Sequence, residues 1–326
     1  MIVKEDDGKY MREIGNKDIA DLPEGEVLIK VKYSSLNYKD ALSAIGNKGV
    51  TKNYPHTPGI DAAGLVELSD NALFKAGDQV VITGYDLGMN TSGGFGQYIR
   101  VPAAWVVKLP ENLTLKESMI YGTAGFTASL SLYKMESLGL IPSGDEVLVT
   151  GASGGVGSMA VAIFSKAGYN VVAATGKSGK EEYFKKLGAK SVIHRDNVND
   201  TGEMPMLKGR WQAVIDTVGG NILATAIKST KRYGLIAVCG LTMSPEFNTT
   251  VFPFLLREVC LIGIDSAECP MSVRSKIWNK IANEWKVETL ADIYAECSLE
   301  ELDNKIDLML NGKSFGRILV NLEGNI

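Results

Sequence analysis

Residues 146–157 read Glu-Val-Leu-Val-Thr-Gly-Ala-Ser-Gly-Gly-Val-Gly. The apolar run predicts a buried strand over residues 146–150, and a helix is predicted over 158–166, ending near Gly168. Glycines between a strand and a helix permit a tight turn, and the helix N-terminus presents unpaired N–H groups to a pyrophosphate. A second strand is predicted over 170–175, at the spacing of a dinucleotide-binding unit. We therefore predict that a dinucleotide contacts Gly151, Ser153, Gly154, Gly155, Val156 and Gly157, the alternative being a purely structural turn.

The residues that follow continue this alternation of strands and helices. Helices are predicted over 180–187 and 222–231, and strands over 191–194, 213–218, 235–239 and 260–264. Strands that alternate with helices form a parallel, doubly wound α/β sheet. The middle of the chain is therefore predicted to be a Rossmann-type α/β domain.

The first third of the chain has a different pattern. Residues 26–33 alternate apolar Val27, Ile29 and Val31 with other side chains, as a half-buried strand does. Further strands are predicted over 60–68, 78–83, 97–101 and 105–108, which together indicate a small barrel-like β domain. A helix over 299–310 and a strand over 316–322 are expected to rejoin this first domain.

Composition sets the broad class of the protein. A chain of 326 residues has room for about two domains. The formal net charge of −4 and the pI near 5.5 provide no general electrostatic basis for binding nucleic acid or an anionic membrane. No apolar run approaches the ~20 residues that span a bilayer, and the N-terminus carries acid where a signal peptide carries base. A cytoplasmic location is expected.

The counts of cysteine and histidine argue against a metal or disulfide framework. The four cysteines form no CxxC pair, and only His56 and His194 are present. We therefore expect no bound metal.

The end of the second predicted strand bears on which dinucleotide binds. An NAD site places Asp or Glu there for the ribose 2′-hydroxyl, but residues 174–178 read Ala-Thr-Gly-Lys-Ser, and the first acid is Glu181. A 2′-phosphate accepts hydrogen bonds from hydroxyls and is attracted by cations. NADPH is therefore the expected cofactor, with contacts from Thr175, Gly176, Lys177, Ser178 and Arg195. The alternative is that Lys177 and Arg195 are ordinary solvated charges.

Several short stretches together resemble one family. They are Ser34-Ser-Leu-Asn-Tyr-Lys-Asp40, Pro58-Gly-Ile-Asp61, Thr123-Ala-Gly-Phe-Thr-Ala128, Asp216-Thr-Val-Gly219, Cys239-Gly-Leu241 and Gly263-Ile-Asp-Ser266. With the glycine loop they resemble the medium-chain dehydrogenase/reductase superfamily, specifically the zinc-free quinone oxidoreductase branch of YhdH/YhfP type, related to acryloyl-CoA reductases. The resemblance implies a GroES-like β-barrel catalytic domain over 1–122, rejoined by 287–326, and a Rossmann NADP-binding domain over 123–286. It also implies a homodimer through the strand at 260–264.

The resemblance also implies where the chemistry lies. Asn37 stands where zinc alcohol dehydrogenases have a ligand cysteine, and Gly59-Ile-Asp61 replaces their Gly-His-Glu, so the zinc ligands are missing. Hydrogen-bond donors must then stabilise the charge that develops during hydride transfer, and we assign that catalytic role to Tyr38 and Asn37, with Tyr38 also contacting the cofactor. Further cofactor contacts are carried over by position to Leu241, Leu255, Ser266, Asn311 and Arg317. Leu255 as a plain core residue and Arg317 in a surface ion pair are the alternatives.

The function expected from these features is NADPH-dependent, zinc-independent reduction. The acceptor would be an activated double bond, as in an acryloyl-CoA-like enoyl thioester, or a quinone. Lys39, Lys48 and Lys52 would attract the phosphates of a CoA substrate. The alternative is a nucleotide-bound binding protein with little turnover.

Overall fold

A computed structural model describes residues 1–324. Its strands, in chain order, are β1 (Ile2–Asp6), β2 (Lys9–Glu13), β3 (Val27–Leu36), β4 (Asp61–Ser69), β5 (Gln79–Thr83), β6 (Tyr98–Val101), β7 (Val107–Lys108), β8 (Glu146–Val149), β9 (Asn170–Thr175), β10 (Ser191–His194), β11 (Trp211–Asp216), β12 (Thr230–Val238), β13 (Cys260–Gly263), β14 (Tyr294–Cys297) and β15 (Arg317–Asn321). Its α-helices are α1 (Tyr38–Ala44), α2 (Leu115–Ser137), α3 (Gly155–Lys166), α4 (Glu181–Lys186), α5 (Gly220–Ser229), α6 (Phe252–Arg257), α7 (Met271–Ala282), α8 (Leu290–Ile293) and α9 (Leu302–Leu310).

The chain divides into two compact units. The first unit contains Met1–Thr123, Ser266–Ala282 and the described residues from Ile293 onward, and the second contains Ala124–Asp265 and Asn283–Asp292. The domain limits expected from the sequence placed residues 266–282 with the nucleotide-binding half, whereas their contacts group them with the β-rich unit. The assignment of a function to each unit stays a prediction at this point.

The first unit is built around β3. Its main sheet has the order β14-β15-β3-β4-β5-β7, and β6 also pairs with β3. Val27, Ile29 and Val31 are all buried, as the alternation predicted, but Leu28 between them is buried too. The C-terminal strand β15 pairs antiparallel with β3, with Ile318 opposite Leu36, so the chain does return to this unit.

The second unit is a six-stranded parallel sheet in the order β10-β9-β8-β11-β12-β13. This order reverses direction next to β8, and open α/β sheets bind ligands at the carboxyl ends of the strands at such a switch point. The glycine loop after β8 lies there. The predicted combination of a barrel-like β domain and a doubly wound sheet is therefore confirmed.

Some local predictions were wrong. The strand predicted over 105–108 is a 3-10 turn, Ala103–Trp105, followed by the two-residue β7. The helices α2 and α7 and the hairpin β1–β2 were not predicted. No helix among residues 1–324 is long and apolar enough to cross a membrane.

Candidate active site

In the second unit, the loop between β8 and α3 has a shape that only glycine permits. Gly151 has φ +57°, and a Cβ on it would lie 2.3 Å from the Oγ1 of Thr217. A Cβ on Gly157 would lie 2.3 Å from the carbonyl oxygen of Gly151. The N–H groups of the first turn of α3, which begins after Gly154, remain available to an anion. This geometry is compatible with the predicted contacts to a pyrophosphate, which stay a prediction.

The predicted 2′-phosphate residues also come together in the second unit. Strand β10 pairs parallel with β9, with His194 opposite Thr175, so Arg195 follows beside Gly176. A Cβ on Gly176 would lie 2.9 Å from the Nε of Arg195, which means that the arginine side chain lies across the glycine. The Oγ1 of Thr175 accepts a hydrogen bond from the N–H of Lys177 at 3.1 Å, which orders the turn.

The charge of Arg195 beside this turn is accessible. The Arg195 side chain is 66% exposed, and its Nε lies 4.0 Å from the carboxylate of Asp196. Burial, together with the charge of Lys180, lowers the pKa of Lys177. Two cationic side chains therefore adjoin a turn without acidic residues, as a pocket for a phosphate requires.

Asp216 holds the neighbouring strand ends in place. Its buried carboxylate accepts from the Oγ1 of Thr150 at 2.8 Å and from the N–H of Gly219 at 2.8 Å, and burial raises its pKa. Burial, with a further contribution from Asp216, raises the pKa of the Cys239 thiol to about 12. Cys239 is thus protonated at neutral pH and is not a nucleophile. The sequence motif contained Asp216, but its contacts with Thr150 were not predicted.

The other predicted cofactor residues are divided between the two units and differ in their contacts. Leu241 follows β12 and is 59% exposed, and Leu255 on α6 is 74% exposed, so the alternative of Leu255 as a core residue is wrong. Asn311 ends α9 and donates through its Nδ2 to the carbonyl of Asp307 at 2.7 Å. The carbonyl of Ser266, in the first unit, accepts from Arg274 at 3.0 Å.

In the first unit, a buried carboxylate collects hydrogen-bond donors from separate segments. Asp61 accepts from the Oγ of Ser35 at 2.5 Å, the Nδ2 of Asn37 at 2.7 Å and the Oγ1 of Thr123 at 2.6 Å. The N–H of Thr123 also donates to both carboxylate oxygens, at 3.0 and 2.9 Å. This N–H is free to do so because Gly122, at φ +49° and ψ −157°, interrupts α2.

Arg317 completes this cluster. It is 2% exposed, and its Nη2 lies 3.8 Å from Asp61 and donates to the Oγ of Ser35 at 2.8 Å. Its Nε donates to the carbonyl of Ile120 at 3.0 Å, and its Nη1 donates to the Oδ1 of Asn37 at 3.1 Å. The alternative of a surface ion pair is therefore wrong, because the guanidinium is buried. These bonds also direct it toward protein acceptors, which disfavours contact with a phosphate.

The two predicted catalytic residues differ in what they can offer a ligand. Both amide hydrogens of Asn37 are used, because its Nδ2 donates to the carbonyl of Ser35 at 3.2 Å as well as to Asp61. Tyr38 begins α1 and is 41% exposed, and among residues 1–324 its hydroxyl has no hydrogen-bond partner. Only Tyr38 of this pair therefore has a donor available for a substrate.

Asp40 lies behind Tyr38. Its carboxylate accepts from the N–H of Asn37 at 2.8 Å and from the N–H of Ile60 at 2.8 Å, which fixes the first turn of α1. Complete burial and then the charge of Asp61 raise the pKa of Asp40 to about 7. These two bonds hold the main chain at the start of α1, where Tyr38 lies.

Comparison with known proteins gives matches over nearly the whole chain. The profile described as alcohol dehydrogenase GroES-like domain matches residues 23–111, and the one described as zinc-binding dehydrogenase matches residues 155–283. YhfP of Bacillus subtilis, which bears the provisional name quinone oxidoreductase, is 46% identical over 93% of this chain and 92% of its own length. Acrylyl-CoA reductase AcuI of Ruegeria pomeroyi is 40% identical over 98% of this chain and 96% of its own.

Two solved structures share both the fold and substantial identity. The yhdH oxidoreductase of Salmonella enterica, in complex with NADP, has a TM-score of 0.96 at 39% identity and covers 99% of both chains. Bacillus subtilis yhfP with NAD bound has a TM-score of 0.96 at 43% identity, over 98% of both chains.

The profile description raises the question of zinc, and the residues present do not fit that metal. The Asp61 carboxylate is occupied by Ser35, Asn37 and Thr123, and the Arg317 guanidinium adjoins it. Within the described part of the chain, no three His, Cys, Asp or Glu side chains are grouped as metal ligands. A catalytic zinc requires three protein ligands.

The first prediction concerns the bend in α2. A Cβ on Gly122 would lie 2.5 Å from the Oδ2 of Asp61 and 2.6 Å from the Nη2 of Arg317. We expect Gly122→Ala to lower the free energy of unfolding by roughly 3 kcal/mol, through backbone strain and displacement of the buried pair. Gly139→Ala is the control, since Gly139 has φ +92° but nothing within 4 Å of its Cβ, and should cost only about 1 kcal/mol. Equal losses in urea unfolding would contradict this account.

The second prediction concerns pH. The pKa of Asp40 is raised from 3.8 to about 7, so the folded chain keeps a proton that the unfolded chain releases within this range. The contribution of Asp40 to stability therefore falls as the pH rises from about 4 to 7. The unfolding free energy of the wild type minus that of Asp40→Asn should therefore decrease from pH 4 to pH 7, as measured by urea titrations. Asp78→Asn is the control. Because the hydrogen bond with Lys108 lowers the pKa of Asp78, the corresponding difference in unfolding free energy should stay constant over the same pH range. A flat difference for Asp40→Asn would show that its pKa is not raised.

Proposed function

Because this chain belongs to the medium-chain dehydrogenase/reductase superfamily, within its quinone oxidoreductase and acrylyl-CoA reductase type, we propose that it is an NADPH-dependent reductase. The acceptor is an activated double bond, as in an acryloyl-CoA-like enoyl thioester, or a quinone. The observation that carries this proposal is the turn after β9, where Arg195 lies across Gly176 and no acidic residue is present. A turn of this kind favours a ribose 2′-phosphate over a free 2′-hydroxyl.

The cofactor would be held by the following residues. The N–H groups of the glycine loop receive the pyrophosphate, with Gly151, Ser153, Gly154, Gly155, Val156 and Gly157 as the contacts. Thr175, Gly176, Lys177, Ser178 and Arg195 receive the 2′-phosphate. Tyr38, Leu241, Leu255, Ser266 and Asn311 are further proposed contacts. The guanidinium of Arg317 is committed to buried acceptors and is not among them.

The proposed hydride transfer requires a hydrogen-bond donor in place of a metal ion. When bound, NADPH supplies a hydride. Addition of hydride at the carbon β to a carbonyl moves an electron pair toward the carbonyl oxygen, where a donor stabilises the negative charge. We assign this donor to the hydroxyl of Tyr38, because Asn37 has no amide hydrogen left. The occupied carboxylate of Asp61 supports a zinc-independent reaction.

The relatives support two acceptors, one a CoA thioester and one a quinone. Of the lysines expected to attract CoA, Lys48 is already bound to Glu5 at 2.7 Å and lies over the rings of Tyr10 and Tyr54. This pairing leaves Lys39 and Lys52 as the candidates for contact with CoA phosphates. Surface cations of this kind affect binding of a charged substrate more than the chemical step.

We further propose a cytoplasmic homodimer. Strand β13 is the outer strand of the six-stranded sheet, and Leu261 on it is exposed. An edge strand with exposed backbone groups is suited to pairing with its copy across a two-fold axis. Four free cysteines and a reduced nicotinamide cofactor are compatible with a reducing compartment.

The proposed reaction is tested by following oxidation of NADPH and NADH separately, with acryloyl-CoA, crotonyl-CoA and a simple benzoquinone. We expect turnover with NADPH, and Tyr38→Phe should lower kcat by roughly 10²-fold because it removes one donor to the developing charge. The control is Tyr233→Phe, at an exposed tyrosine of β12 in the second unit. Full activity in Tyr38→Phe would remove the assigned donor, and no turnover by the wild type would leave a binding protein.

The cofactor preference is tested at Arg195. Loss of one charge-assisted contact to the phosphate should raise the KM for NADPH about tenfold in Arg195→Ala, while the KM for NADH stays the same. Lys190→Ala is a control with the same change in net charge, since Lys190 immediately precedes β10 at the opposite, amino end of that strand. Equal effects on both cofactors, or rapid NADH use without preference for NADPH, would contradict the 2′-phosphate assignment.

A further inference from the structure

Arg274 is a completely buried arginine of the first unit that the reaction described above does not use. It lies on α7 and binds two segments that are far apart in the chain. Its Nη1 donates to the carbonyl oxygen and the Oγ1 of Thr83, at 2.6 and 2.9 Å. Its Nη2 donates to the carbonyls of Ser266 and Ala267, at 3.0 and 2.8 Å. One guanidinium thus joins the end of β5 to the segment that follows β13.

The face of the same guanidinium is also held. Its central carbon lies 4.3 Å from the ring centre of Tyr85, and Tyr85 stacks on Trp105 at 5.5 Å with an interplanar angle of 6°. A planar cation with donors along its edge can use its edge and its face at once, whereas an ammonium cannot. The geometry is therefore specific for arginine.

The two joined segments are also in direct backbone contact. The N–H of Tyr85 donates to the carbonyl of Ala267 at 3.1 Å. A Cβ on Gly84 would lie 2.8 Å from the Cα of Ala267, so no side chain separates the two backbones. The position of Ser266 and Ala267 is consequently defined by the turn at residues 83–85.

This turn is connected in the other direction to the start of α1. The N–H of Gly84 donates to the carbonyl of Ile60 at 3.0 Å. The N–H of Ile60 donates to Asp40, which also accepts from the N–H of Asn37, both at 2.8 Å. Hydrogen bonds thus connect both Ser266 and Tyr38 to the end of β5 within the first unit.

We propose that Arg274 is a positioning residue for the reduction. It fixes the position of the Ser266–Ala267 main chain relative to Tyr38. This inference rests on the proposed function, in which Ser266 contacts the cofactor and Tyr38 donates to the substrate. Displacement of reacting groups by about 1 Å can lower a rate by as much as 10²-fold, so the link matters for the rate of hydride transfer.

The test compares Arg274→Met and Arg274→Lys with wild type and with Ile277→Ala. Ile277 is buried on the same helix, so its truncation destabilises α7 and provides the matched control. The measurements are kcat with NADPH and acryloyl-CoA, the primary deuterium isotope effect with 4-deuterated NADPH, the Kd of 2′,5′-ADP, and Tm.

We expect kcat to fall about 10²-fold in Arg274→Met and about tenfold in Arg274→Lys, with a larger isotope effect because hydride transfer becomes slower relative to other steps. The Kd of 2′,5′-ADP should stay the same, since the phosphates of this fragment are assigned to the turn after β9 and to the glycine loop, both in the second unit, whereas Arg274 belongs to the first. Ile277→Ala should lower Tm and leave kcat and the isotope effect as in wild type. If Arg274→Met does not fold, Arg274→Lys and Thr83→Val decide, the latter removing one of the acceptors and producing a smaller fall in kcat.

Two failures are distinguishable. If the wild type is active and the Arg274 variants keep its kcat and isotope effect, with only Tm lowered as in Ile277→Ala, this inference alone is overturned. A wild type that binds 2′,5′-ADP but transfers hydride to no acceptor overturns the proposed function and this inference with it.

Discussion

The first unit depends on the buried carboxylate of Asp61. A carboxylate removed from water is costly unless its oxygens accept several hydrogen bonds and a positive charge lies near. The donors come from Ser35 and Asn37 around the end of β3 and from Thr123 within α2, and the positive charge is that of Arg317 at the start of β15. The same bonds therefore determine where β3 ends, where α2 bends and where the last strand joins the sheet. They also explain why Asn37 is unavailable to a ligand while the adjacent Tyr38 is exposed.

Local spacing made much of the second unit predictable. The glycine loop, the strands on either side and the carboxylate-free turn after β9 can all be recognised within about 30 residues of sequence. The position of Arg195 beside Gly176 needs one further fact, namely that β9 and β10 pair in parallel with His194 opposite Thr175. Rules for doubly wound sheets supply the pairing of neighbouring strands, but they do not supply the register.

The errors have two physical origins. Helix α2 is buried on nearly every side and bends at Gly122, so it has no apolar stripe from which a helix is recognised. The family resemblance assigned Arg317 to a phosphate or a carbonyl, and the alternative was a surface ion pair because an isolated arginine in a sequence is usually solvated. Its partners Asp61, Ser35 and Asn37 lie at the other end of the chain, and only the antiparallel pairing of β15 with β3 brings them together.

Two buried arginines serve the same purpose in the first unit. Arg317 joins the ends of β3 and β4 to α2, and Arg274 joins the end of β5 to the segment after β13. Each uses several donors in one plane to bind carbonyl and side-chain oxygens from separate segments. A catalytic metal would orient both its ligands and the substrate through its own coordination geometry. Where the ligand set for a metal is missing, that precision must come from the protein, and rigid guanidinium groups with several fixed acceptors are well suited to provide it.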